Sequence, residues 1–98
     1  MARPLRIEYP GAFYHVMNRG QRQEPIVLDR RDREHFVSDL GRLSGRFHVL
    51  IHGYCLMANH YHLILETPEG NLSRAVQWLN VAYAAYYNRR HQCSGHVF

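Results

Sequence analysis

Two short runs, residues 48–57 and 60–66, are separated by nothing more than Ala58 and Asn59. A connection that tight suits an antiparallel β-hairpin, because parallel strands need a crossover of a dozen residues or more. In the first run Val49, Ile51, Gly53, Cys55 and Met57 fall on one side, with His48, His52 and Tyr54 on the other. The second run has the same two-residue period and begins His60-Tyr61-His62. The chain is 98 residues long, enough for one small domain. A core that small forms only if nearly every element contributes to it.

The remaining elements can be read around this hairpin. Pro10-Gly11 marks a turn, and the aromatic and β-branched stretch 12–17 reads as a strand. The polar stretch 21–25 reads as a loop. Asp29 is placed to cap a helix over 30–44, with Asp32 near its positive end and Gly45 as a stop. Phe36, Leu40, Leu43 and Phe47 recur there at helical spacing. Asn71 is placed to cap a longer helix over 72–88, whose apolar face carries Leu72, Val76, Leu79, Tyr83 and Tyr86. Trp78 belongs with that face, as core and not as a platform for bases. Val97-Phe98 could begin a further strand. Strand, helix, strand, strand, helix is the order of an α+β, ferredoxin-like domain: an antiparallel sheet with two helices packed on one face. The other sheet face would be open to a ligand.

Composition narrows the partner. Hydrophobic residues make up 46% and charged residues 20%, as in ordinary globular proteins. No apolar run has the length of a membrane span, and the basic start at residues 1–6 lacks the apolar segment of a signal peptide. Cys55 and Cys93 lack metal-knuckle spacing and read as free thiols in a reducing cytoplasm. The formal net charge is +4, and all twelve basic residues are arginine. Guanidinium binds phosphate bidentately and stacks on bases, which favours a nucleic-acid partner. Codon bias toward arginine would give the same composition. Arg19, Arg89 and Arg90 are the candidate nucleic-acid contacts, although helix-end charge also accounts for the last two.

The histidines sharpen this reading. Residues two apart on a strand point to one face, with Cα atoms roughly 7 Å apart. His60 and His62 could therefore share one metal ion, leaving positions open for a third group and a substrate. A pair of solvated histidines on an open sheet is the plain alternative. His15 reads as a surface residue or a support for that pair, and His52 as its neighbour across the hairpin. A zinc site from His52, Cys55, His60 and His62 is disfavoured, since the alternation sends Cys55 to the face opposite His52.

The run Tyr54-Cys55-Leu56-Met57-Ala58-Asn59-His60-Tyr61-His62-Leu63-Ile64-Leu65-Glu66 resembles the signature of the single-tyrosine HUH transposases. This family includes insertion-sequence transposases and REP-associated tyrosine transposases. Phe13-Tyr14-His15-Val16-Met17-Asn18-Arg19-Gly20 is similar to the family's first strand. The stretch from Asp29 to Phe36 is similar to the start of its first helix. Gly70-Asn71-Leu72-Ser73 and Gly95-His96-Val97-Phe98 match later segments in order and spacing.

The resemblance implies a single HUH transposase-like domain over 1–98 that works on single-stranded or hairpin DNA. It implies Mg²⁺ or Mn²⁺ held by His60, His62 and a third ligand, and attack by a tyrosine that leaves a 5′-phosphotyrosine. It implies a cytoplasmic, nucleoid-associated prokaryotic protein without membrane attachment, and relatives that include homodimers. In the family the nucleophilic tyrosine and usually the third ligand sit on a helix that has no match here. The expectation is a domain shortened at its C-terminus, without its last strand and helix. Tyr83, Tyr86 and Tyr87 lie too early to be that nucleophile. Two other readings stay open: a non-catalytic DNA-binding relative, and a ferredoxin-like RNA-binding domain, which would need an aromatic pattern the sequence lacks.

Overall fold

Asp29 caps the first helix as its sequence position predicts: its Oδ1 accepts from the Asp32 N–H at 3.1 Å. Helix α1 then runs Arg30–Phe47, three residues beyond the predicted end. Gly45 does not stop it. The helix ends instead at His48, which takes the left-handed conformation at φ 56 and so belongs to no strand. The computed structural model describes residues 8–98, and the basic start at 1–6 lies outside them.

Three strands form one antiparallel sheet in the order β1-β3-β2, with β1 at Ala12–Arg19, β2 at Leu50–Leu56 and β3 at His60–Thr67. The second helix, α2, spans Leu72–His91. The fold is α+β. On the inner sheet face Val16, Tyr61, Leu63 and Leu65 are buried with Phe36, Leu40 and Leu43 of α1 and Leu72, Val76, Leu79 and Tyr83 of α2. The outer face carries Phe13, His15, Met17 and Arg19 of β1 beside Glu66, Ile64, His62 and His60 of β3. Its side chains are largely exposed, Phe13 by 65%.

Three expectations need correction. The alternation predicted for β2 breaks at a bulge between Ile51 and Gly53, where His52 has no opposite residue. One extra residue reverses the facing of all that follows, so Cys55 lies opposite His62 and Leu56 turns into the core. Asn71 stands at the α2 N-terminus but makes no cap; its amide donates to the Phe47 carbonyl instead. Glu8 does the capping, accepting from the Ser73 N–H and hydroxyl at 2.9 and 2.7 Å. Val97 and Phe98 form no strand: the Val97 carbonyl accepts from Gln21, and Phe98 packs edge-on against Tyr61. Trp78 is half-buried against the core, with Arg42 and Arg46 over its ring.

Tyr61 connects sheet and helix at the centre of this core. Its hydroxyl donates to Asn80 Oδ1 at 2.6 Å and accepts from the Asn18 amide at 2.7 Å. Tyr61→Phe keeps the ring but deprives both amides of a buried partner, so it should cost about 1–3 kcal/mol. Urea unfolding measures this, and an unchanged midpoint would show that the hydroxyl contributes nothing.

Candidate functional site

The position of Tyr61 determines where its neighbours point. Because it faces inward, His60 and His62 must face out, and their ring centroids lie 5.0 Å apart. The β1 register brings two more outer residues to them. Met17 pairs with His62 and Arg19 with His60, so Arg19 lies within the strand and not after it. His15, one row along, reaches diagonally: its Nε2 is 2.9 Å from His62 Nδ1, and the two rings stack.

Two contacts govern which nitrogens are available. The Asn59 side-chain oxygen lies 2.8 Å from His60 Nδ1 and can only accept, so that nitrogen carries the proton. His60 Nε2 is then left with its lone pair. His62 has the same freedom when its Nδ1–H donates to His15. Desolvation, then the adjacent His15, His60 and Arg19, hold the His62 imidazole below its ordinary value of 6.5. A neutral imidazole is the form that binds a metal.

This donor set fits part of a divalent cation's shell. Two imidazoles, each oriented through its other nitrogen, are a common arrangement at metal centres. Among the described residues no group of three or more His, Cys, Asp or Glu side chains is placed to hold a metal. His52 does not join the pair. It lies toward the far end of the face, stacked on Phe13 and 3.0 Å from Glu66 Oε1. The bulge puts Cys55 on the outer face after all, where it is a free, exposed thiol.

The family model described as "Transposase IS200 like" matches residues 9–97. The chain belongs to the IS200-like transposase family. No curated protein and no solved structure matches it. As an IS200-like transposase it is a DNA-binding protein of DNA transposition, and no helix among its described residues is long and apolar enough to cross a membrane.

Within this transposase the other sequence-derived candidates have specific places. Arg90 is committed to the fold, donating to Asp29 Oδ1 and Oδ2 and to Asp32 Oδ1 at 2.6–2.7 Å. Arg89 lies beside it in an open cleft of about 440 Å³ lined also by Arg31, His35 and Tyr86. Arg19 alone of the three adjoins the histidine pair. The α2 tyrosines all make structural contacts. Tyr83 is fully buried and donates to the Ile26 carbonyl, Tyr86 donates to Asp32, and Tyr87 donates to Pro25. Burial, then the nearby carboxylate of Asp32, pushes the Tyr83 hydroxyl far above its ordinary range. Sequence reasoning missed Asn59 as the group that orients His60. An amide next to a histidine has no distinctive spacing, and only the hairpin tip's geometry shows the contact.

Proposed function

We propose that His60 and His62 supply two ligands for Mg²⁺ or Mn²⁺ at a site that nicks and rejoins single-stranded or hairpin DNA. The observation that carries the reading is the outward pair itself, with His60 Nδ1 tied to Asn59 and Nε2 left available, in an IS200-like transposase. When bound, the cation would polarise a phosphoryl oxygen and offset charge developing at the scissile phosphate. The chain's own residues orient the donors. Asn59 fixes the His60 tautomer, His15 holds the His62 ring through Nδ1, and Arg19 adds a guanidinium beside the pair to hold a neighbouring phosphate. The strand-breaking nucleophile in this reading is a tyrosine other than Tyr61, Tyr83, Tyr86 and Tyr87, whose hydroxyls are all engaged within the fold. The same engagement favours a second reading, in which these 98 residues bind DNA without cutting it.

Mn²⁺ titration followed by paramagnetic broadening of the histidine ring signals tests the site. His60→Ala should weaken Mn²⁺ binding by about 100-fold or more. Asn59→Ala should weaken it by about tenfold, the lower end for a residue that orients a ligand. Undiminished Mn²⁺ binding by a His60→Ala, His62→Ala double variant would sink the proposal. Labelled hairpin DNA with Mn²⁺ separates the two readings: a covalent adduct that survives denaturation places a nucleophile within the chain.

A further inference from the structure

The outer sheet face is graded from one end to the other. Its first row holds Arg19 and His60, and the second Met17, His62 and Cys55. The third holds His15, Ile64 and Gly53, where an added Cβ would meet nothing within 4 Å. The fourth holds Phe13, Glu66 and Leu50, with the bulged His52 stacked on Phe13 at 5.6 Å. Arg19 and the pair His60 and His62 thus occupy one end, and the rings of Phe13 and His52 the other, about 13 Å along β3 from His62.

We infer that Phe13, backed by His52, is a stacking platform for an unpaired base of the DNA strand whose phosphate lies at the histidine pair. The inference rests on the functional reading above for the phosphate end of that strand. Phe13 is the most exposed large apolar side chain of the described residues and sits in the sheet, where a ring is held in place. Hydrophobic burial therefore does not account for its position. The bulge at His52 brings a second ring against it, and the Glu66 carboxylate, 3.0 Å from His52 Nε2, holds that ring. A carboxylate repels phosphate but accepts from the amino group of a base. The chemistry of this end consequently selects a base and not the backbone. Gly53 leaves the face open between the two ends. A duplex hides its base faces, so the occupant is single-stranded DNA.

The platform can be tested with the 98-residue chain and single-stranded oligonucleotides carrying 2-aminopurine at successive positions, with Mn²⁺ affinity measured separately. One position should be quenched by stacking when bound. Phe13→Ala should abolish that quenching and weaken binding about fivefold to 100-fold, the range for loss of one base–aromatic stack. Phe13→Trp should retain both, and Mn²⁺ affinity should be unchanged in either variant. Wild-type affinity and quenching in Phe13→Ala would overturn the inference. So would self-association that depends on Phe13 while DNA binding does not, which would assign the face to a second copy of the chain. If the chain binds Mn²⁺ but quenches no base, the platform fails and the metal site stands. Quenching without any Mn²⁺ binding has the opposite meaning.

Discussion

Asp32→Ala should remove about 3–5 kcal/mol of stability, the cost of breaking a buried ionic network from one side. That is a large part of the 5–15 kcal/mol available to an ordinary domain, and urea unfolding should show a lower midpoint at unchanged slope. The Asp32 side chain has no exposed surface, although it lies in the first turn of α1. It accepts from the Leu28 N–H at 3.0 Å, the Tyr86 hydroxyl at 2.7 Å, Arg90 at 2.7 Å and His91 at 2.9 Å. These donors tie the start of α1 to the end of α2. Burial raises the carboxyl's pKa, but the donors outweigh it and hold the group below its ordinary value of 3.8. Asp29, hydrogen-bonded by Arg90, is depressed further.

A depressed carboxylate stabilises the fold above its unfolded pKa, and that stability is lost as pH falls through the folded value. Acid unfolding should therefore set in below about pH 4, and the slope of stability against pH there should shrink in Asp32→Ala. Asp39 works in the opposite direction. Burial raises its carboxyl, so its protonation on acidification favours the fold. A loss below about 1 kcal/mol in Asp32→Ala would show that the network carries little net energy. Asp29 is exposed and retains water as a partner, so Asp29→Ala should cost less.

The same network shows what was legible in the sequence. Local periodicity makes the hairpin, both helices and the outward pair His60 and His62 legible, and local position the Asp29 cap. Contacts between distant segments could not be read. Arg90 looked available for DNA because its partners Asp29 and Asp32 lie about 60 positions earlier, across the helix pair. His15 is joined to His62 only by the β1–β3 register, and no pattern within either strand specifies that register. The bulge at His52 left no mark on the alternation either. Val49 and Ile51 turn inward before it, Leu56 turns inward after it, and the exposed Cys55 fits a slot that the unbroken pattern would have buried. Helical spacing puts Tyr83 and Tyr86 on the buried face of α2, but Tyr87 is more buried than Tyr86, whose hydroxyl is drawn to Asp32.

Gly20→Ala should be the most damaging glycine substitution, costing about 3 kcal/mol, the upper end for overpacking. The reason is not backbone conformation, since Gly20 has φ −62 and ψ 148, which any residue adopts. A Cβ there would lie 2.2 Å from the Glu24 carbonyl oxygen and 3.0 Å from Ile26 Cγ2. The first is a backbone atom and cannot rotate away. The segment that would have to move holds the tip of the hairpin: Gly20 N–H donates to the Asn59 carbonyl at 2.9 Å, and the Ile26 and Val27 N–H groups donate to Ala58. Asn59 is the residue that orients His60. A shift of that loop should therefore reach the candidate metal pair, lowering Mn²⁺ affinity by about tenfold together with stability. Gly45→Ala is the contrast: its Cβ meets nothing within 4 Å in the body of α1, so it should stabilise by about 0.5–1 kcal/mol. If Gly20→Ala unfolds at the wild-type urea concentration, the loop yields without cost. Intact Mn²⁺ affinity in a destabilised Gly20→Ala would separate the hairpin tip's packing from the orientation of His60.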